Sequence, residues 1–314
     1  MTHSIAFGPI VSRRFGRSLG VNHLPHKHCS YSCVYCQIGP TPHTSTARLR
    51  FYDPAVVATA VEQKVRECEQ RGEAIDVISF VPDGEPTLDL NLGWEIREVK
   101  RLGYPVAVIT NGASLSVPEV REDLAAADIV SIEIDSVDEA TWRRVDRPAV
   151  ALSLPVVLEG MRTFAREFPG ALWTQTMLVR ERNDGPQQVD DVAAFIAGLR
   201  PARACISVPT RPPTDTHVQP PDEATLLRAW SIFSARVPYV EMLAQIASEG
   251  FAGTSGKESD LVAALAVHPM PEAAVRQNLE QIGVDAALVD RLVAEQRLER
   301  VDYSGRIFLT ARRS

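Results

Sequence analysis

The sequence predicts an α/β fold: a partial (β/α)6 barrel of the TIM type, followed by a small winged-helix-like α+β unit. Two patterns carry this reading. Short β-branched runs alternate with longer amphipathic stretches from residue 18 to residue 235. Parallel strands need crossovers, so that rhythm means a parallel sheet with helices on its outside. The pattern then changes over 254–314, which reads as three helices and a hairpin. With 314 residues the chain can bury a full core without disulfide staples. Apolar residues at 45% and charged residues at 23% are ordinary for a globular protein. The net charge of −7 supplies no global basic field for nucleic acid or an anionic membrane.

The elements follow in order. Strands are expected at 76–81, 105–110, 128–134, 172–178 and 204–208, with a weaker candidate at 18–22. Helices are expected at 53–71, 89–102, 116–126, 154–167, 186–198 and 222–235. In the first of these, Val57, Val61, Val65 and Cys68 fall on one helical face, Asp53-Pro54 opens the helix and Gly72 closes it. Chemistry in such barrels sits at the carboxyl ends of the strands. The barrel is assigned to 1–215, a connecting helix and linker to 216–253, and the winged-helix-like unit to 254–314. Five prolines in 209–223 make that connection stiff and extended.

The last unit reads as helices at 257–267, 271–281 and 285–296, then a hairpin at 299–311 turning at Ser304-Gly305. Eight Lys/Arg against nine Asp/Glu leave it near neutral, whereas phosphate binding needs a basic face. Arg297, Arg300, Arg306, Arg312 and Arg313 form the one candidate basic patch, on the wing. A protein, peptide or structural role is therefore expected ahead of nucleic-acid binding. The N-terminal segment has neither a long apolar region nor a small-residue cleavage site, and no apolar run approaches the ~18 residues of a membrane span. A cytoplasmic protein with no membrane partner is expected, and a reducing compartment suits free thiolates.

Three of the five cysteines, Cys29, Cys33 and Cys36, lie in one C-x3-C-x2-C segment. Five is too few, and an odd number, for a disulfide scaffold. Three thiolates on one loop can each take one iron of a cubane that ordinarily has four cysteine ligands, leaving one iron open to a small molecule. Zinc is the competing reading, because His23, His26, His28 and His43 flank the loop and could complete a Cys3His site. Cys68 and Cys205 read as core residues.

The spacing, with Tyr35 just before the third cysteine, resembles the signature loop of the radical S-adenosylmethionine (SAM) superfamily. That resemblance covers about residues 7–215 and implies a partial (β/α)6 barrel with the loop after the first strand. Asp83-Gly84-Glu85-Pro86 resembles the family's glycine-glycine-glutamate motif, with Asp in place of the first glycine. The implied role of Gly84, Glu85 and Pro86 is to grip the methionine end of SAM, and Gly84 permits close backbone approach. Asn111, in Thr110-Asn111-Gly112, would face the barrel mouth. Alternation puts Ser131, Glu133 and Asp135 on one strand face, as contacts for SAM or substrate. Arg147 is a candidate carboxylate partner, Thr174, Thr176 and Asn183 are further polar candidates, and Ile206 stands where the family packs the adenine. The implied cofactors are a [4Fe-4S] cluster, held by Cys29, Cys33 and Cys36, and S-adenosyl-L-methionine. The implied partner is a one-electron reductant of flavodoxin or ferredoxin type.

The opening segment, together with VPDGEPTLDLNLG, DRP and VPTRPP, also resembles the iron–sulfur oxidoreductase branch grouped with the wyosine-base synthetases of tRNA. Arg13, Arg14 and Arg17 are then candidate substrate or SAM contacts, or equally an exposed basic edge. No cysteine precedes Cys29 and none follows Cys205, so the second cluster of the wyosine enzymes and the auxiliary clusters of many peptide-modifying members are not expected. Asp215-Thr216-His217 begins like a cobalamin motif, but Pro220 breaks it and His217 reads as linker. Three functions stay open: hydrogen abstraction from a tRNA base, radical modification of a peptide held by the C-terminal unit, and an iron–sulfur DNA-binding regulator.

Overall fold

In the computed structural model, which describes residues 4–243, 258–303 and 305–312, eight strands form one sheet in sequence order. An antiparallel hairpin, β1 (Ala6–Ser12) and β2 (Gly16–Val21), starts it. Then β3 (Val77–Phe80), β4 (Val106–Thr110), β5 (Ile129–Glu133), β6 (Ala171–Met177), β7 (Arg203–Ser207) and β8 (Val240–Leu243) add in parallel. The crossovers carry α1 (Pro54–Gln70), α2 (Leu92–Lys100), α3 (Pro118–Leu124), α4 (Glu139–Val145), α5 (Leu154–Glu167), α6 (Pro186–Leu199) and α7 (Glu223–Ser234). This is the expected partial barrel.

Local chemistry sets the helix bounds. Asp53 accepts from the Ala55 N–H, Pro54 takes the first helical position of α1, and Gly72 leaves the helix at a φ of +67° that a Cβ would disfavour. Val57, Val61, Val65 and Cys68 are buried against the sheet, as expected. Each fully buried valine contributes roughly 1.5–3 kcal/mol. Strand alternation separates two layers. Val108, Val130, Ile132, Ala204 and Ile206 belong to the core under the helices. Ala107, Ile109, Ile129 and Trp173 face inward, where Phe15 from the β1–β2 turn stacks on Trp173 with ring centroids 5.2 Å apart. That stack plugs the amino-terminal end of the barrel.

Three elements differ from expectation. β1 escapes sequence reading because Gly8 and Pro9 punctuate it and its register slips between Phe7 and Ile10. β8 is a four-residue edge strand in a segment read as linker, so the sheet runs on to residue 243, past the barrel limit at 215. α4 is a seven-residue helix in a stretch where the sequence reading placed none.

The C-terminal unit contains α8 (Glu258–Val267), β9 (Met270–Pro271), α9 (Glu272–Gln281), α10 (Ala287–Ala294), β10 (Leu298–Tyr303) and β11 (Arg306–Ala311), with sheet order β10-β11-β9. This is the winged-helix order. Ser304 at the expected turn, Arg313, and residues 244–257, with the 253/254 boundary and the first residue of the 257–267 helix, lie outside the described residues. Leu265, Leu279, Leu292 and Leu309 build a core shared with Phe7 and Ile10 of β1, so the unit is packed onto the barrel. Four of its described arginines are held in ion pairs. Arg276 and Arg300 each pair with both Glu272 and Asp290 at 2.6–2.8 Å. Arg291 and Arg297 pair with Glu258. Among the described residues no helix is long and apolar enough to cross a membrane.

Candidate active site

The cysteine loop follows β2 and is laced on both sides by backbone hydrogen bonds. On one side the Lys27 N–H donates to Asp83 O and the Glu85 N–H to His28 O, both at 2.8 Å. On the other, Ser32 and Val34 donate to Asp146 O and Val145 O at 3.1 and 2.9 Å. Only glycine fits at position 84, since a Cβ there would overlap the His28 carbonyl and lie 2.7 Å from its carbon.

All three cysteines line one cavity of about 330 Å³. Burial pushes the Cys29 thiol up to about 12, with the negative charge of Glu85 adding to it, and burial beside Asp146 pushes Cys33 upward as well. Donors point at two of the sulfurs: Tyr31 N–H to Cys29 Sγ at 3.4 Å, Asn111 Nδ2 to Cys29 Sγ at 3.8 Å, and Lys27 Nζ to Cys36 Sγ at 3.3 Å. Three thiols with N–H and ammonium donors suit an iron–sulfur cluster.

Gly84, Glu85, Asn111 and Glu133 line the same cavity. Glu85 is a buckle between two strand ends. Its Oε1 accepts from Thr87 N, Thr87 Oγ1 and Thr110 Oγ1 at 3.1, 2.7 and 2.6 Å, and its Oε2 from Asn111 N at 2.8 Å. Burial raises its pKa against the pull of those bonds. Glu133 accepts from Arg14 at 3.2 Å and Gln175 at 2.9 Å, and burial lifts it to about 7. Tyr35 lines the cavity and donates to Asp135. Burial raises Asp135, and holds the adjacent Asp146 at about 7.

Several residues singled out in the sequence do not line the cavity. Ile206 faces the helices, and Ser207 takes the inward position on β7. The same one-residue shift applies on β6: Gln175 and Met177 line the cavity, while Thr174 and Thr176 do not. Both faces alternate, and polarity pointed to the wrong one. Arg147 is half exposed and pairs with Asp215 at 3.3 Å, outside the cavity. Asp135 and Ser131 do not line the cavity: Asp135 accepts from Met177 N at 2.7 Å, and Ser131, on the same face of β5 as Glu133, accepts from Arg14 at 3.4 Å. Pro86 opens the 3-10 turn Pro86–Leu88 behind the wall, and Asn183 bonds to backbone carbonyls of Asp135 and Met177.

Of the three N-terminal arginines, Arg13 and Arg14 line the cavity, and Arg17 forms an exposed pair with Asp76. None of His23, His26, His28 and His43 lines the cavity, so they do not complete a zinc site with the cysteines. His217 is exposed on the linker beside Asp215. Two wall residues come from the C-terminal unit, Val267 and His268. Gln37 Nε2 donates to Val267 O at 2.8 Å, and Tyr303 OH to Pro209 O at 3.1 Å, which seats that unit on the barrel. No local motif signals this long-range contact.

Residues 24–196 match the Radical SAM superfamily. The chain is 35% identical over 307 residues to UPF0026 protein MJ1312 of Methanocaldococcus jannaschii, covering 97% of this chain and 95% of that protein. It is 34% identical over 214 residues to UPF0026 protein slr1464 of Synechocystis sp., covering 67% and 77%. Its fold is similar to that of a radical SAM methyltransferase from Sphaerobacter thermophilus, with a TM-score of 0.55 and 14% identity over 73% of this chain and 67% of that one.

Proposed function

The chain belongs to the radical SAM superfamily, whose members are enzymes using a [4Fe-4S] cluster and SAM, and on that premise we propose that Cys29, Cys33 and Cys36 hold the cluster. The observation that carries this is the convergence of all three thiols with Gly84, Glu85, Asn111 and Glu133 on one cavity. When bound, the cofactor pair supplies reductive cleavage of SAM to a 5′-deoxyadenosyl radical, which takes a hydrogen atom from the substrate. The chain supplies placement and exclusion of water. Asn111 and the Tyr31 N–H orient the Cys29 sulfur, and Lys27 offsets negative charge at Cys36. The remaining acceptor capacity of Glu85 Oε2, beside Gly84 on the cavity wall, suits an ammonium group. Arg14 and Gln175 hold Glu133 as a second acidic contact. Phe15 on Trp173 closes the base against water, and Val267 and His268 close a side. Electrons come from an external one-electron donor of flavodoxin or ferredoxin type.

For the substrate, the opening segment favours a tRNA base, whereas the near-neutral charge of the C-terminal unit favours a peptide or protein. The ion pairs of Arg276, Arg291, Arg297 and Arg300 offset part of the charge that RNA or DNA would draw on. A peptide or protein is therefore the reading preferred here, and a DNA-binding regulator leaves the residues of the cavity without a role. Anaerobic reconstitution with SAM and dithionite, followed by mass spectrometry of 5′-deoxyadenosine and of candidate peptides and RNAs, tests this. The parent should bind about four irons and cleave SAM, and Cys33→Ala should do neither. A variant cleaving SAM at the parent rate refutes the assignment. A salt-dependent shift with tRNA, and none with peptide, would reverse the substrate preference.

A further inference from the structure

A second group of buried polar side chains lies apart from the cavity. His23 follows β2, Asp89 ends the 3-10 turn, and Glu95 is in the first turn of α2. All three are 0% exposed, and none lines the cavity. His23 Nδ1, Asp89 Oδ2 and both carboxylate oxygens of Glu95 have no hydrogen-bond partner. Leaving such atoms bare costs about 1–3 kcal/mol each, more where the group is charged.

The geometry leaves room for one shared atom. One ligand atom from each residue lies within 4.8 Å of the other two. An atom at the centre of such a triangle is at most about 2.8 Å from each corner (4.8 Å divided by √3), and closing to the ~2.0–2.2 Å of a first-row ion moves each side chain by well under 1 Å. His23 Nε2 lies 3.4 Å from Pro86 O, so it carries the proton and Nδ1 keeps its lone pair. A backbone carbonyl on the far ring nitrogen is the usual support for a metal-binding imidazole. Burial holds His23 down to about 4, in the neutral form that can ligate. Asp89 is itself fixed: its Oδ1 accepts from Asn91 N at 2.8 Å, and its carbonyl accepts from Arg48 at 2.9 Å.

With both carboxylates ionised the three facing groups are all acceptors, and without a cation burial pushes Asp89 up to about 6 and Glu95 up to about 9. A water can donate to only two of them. A divalent cation satisfies all three and neutralises both carboxylates. We propose that His23, Asp89 and Glu95 bind one divalent first-row ion, such as Zn(II) or Mn(II), in a buried site. One imidazole with two carboxylates suits that class of ion. The site ties the segment leading into the cysteine loop to the turn after Glu85 and to α2. It therefore braces both sides of the His28–Gly84 contact. This proposal does not depend on where the iron–sulfur cluster binds.

The test uses the full chain with Cys29, Cys33 and Cys36 all replaced by alanine, so that neither cluster iron nor these thiols contribute metal. Zinc, manganese and iron are counted by mass spectrometry after purification without chelator, and again after refolding with ZnCl2 or MnCl2. About one ion per chain is expected, with near-complete loss on adding Glu95→Gln, accompanied by a lower melting temperature. Burial pushes Glu95 up to about 9, so without an ion it is protonated at neutral pH and Glu95→Gln should leave the melting temperature nearly unchanged. An unchanged melting temperature, zero ion after refolding, or an ion that survives Glu95→Gln overturns the proposal. Should the triple variant fail to fold, Mn(II) paramagnetic resonance on the parent and His23→Gln decides. Stoichiometric uptake by the parent and none by the variant supports the site, and equal uptake overturns it.

Discussion

Replacing Gly84 with alanine tests how the two walls of the cavity meet. The new Cβ would overlap the His28 carbonyl oxygen and lie 2.7 Å from its carbon, where non-bonded carbons prefer about 3.5–4.0 Å. The two segments must therefore separate by ~0.8 Å or more. The two hydrogen bonds that join them, Glu85 N to His28 O and Lys27 N to Asp83 O, would stretch from 2.8 Å past useful range. Together they are worth about 2 kcal/mol net, and stranding their buried groups adds about 1 kcal/mol more, so the loss is on the order of 3 kcal/mol. Because Glu85 and Cys29 sit on opposite sides of this seam, the loss should fall on SAM placement, roughly a hundredfold. The assay is 5′-deoxyadenosine formation by the reconstituted protein, with iron content and melting temperature measured on the same sample. Gly198→Ala in α6 is the control, since a Cβ there meets nothing within 4 Å. Gly84→Ala with parent-level cleavage and an unchanged melting temperature would refute the seam's role.

Two further outcomes follow from the buried carboxylates. Glu85→Gln removes the charge facing the cavity and sets an amide donor against the Asn111 N–H or the Thr87 and Thr110 donors. SAM affinity, read by titration, should fall by about 10- to 100-fold, a loss of ~1–3 kcal/mol, while iron content stays at the parent level. Glu133 has its pKa raised by burial to about 7 from 4.5, so the stability it contributes is fully present below 4.5 and is lost as pH rises through 7. Glu133→Gln should therefore gain on the parent between pH 4.5 and 7 by up to about 3 kcal/mol, read as diverging anaerobic melting temperatures. Parallel curves would show that Arg14 already compensates the charge.

Legibility differed between residues for physical reasons. The cysteine spacing, Gly84-Glu85, Asn111 and Glu133 are local signals, and the structure gathers all of them at one cavity. The inward face of β6 and β7 was misjudged. Thr174 and Thr176 are the more obvious polar pair, yet Thr176 satisfies its hydroxyl on Ile134 O at 2.8 Å, behind the sheet. Arg147 looked free to meet a ligand carboxylate but meets Asp215. The histidines looked like a possible fourth ligand set. Instead His23 turns away from the cysteines toward Asp89 and Glu95.

The amino-acid sequence alone settled the βα rhythm, the helix caps, the winged-helix order and the three-cysteine loop. Each depends on residues close together in the chain, where periodicity and spacing act directly. Only the tertiary structure decided which strand face looks inward, that β1 and β8 complete the sheet, that Val267 and His268 wall the cavity, and that His23, Asp89 and Glu95 share a buried pocket. Those outcomes depend on how a curved sheet closes and on which distant surfaces bury each other. A strand's alternation is compatible with either facing until its neighbours choose one.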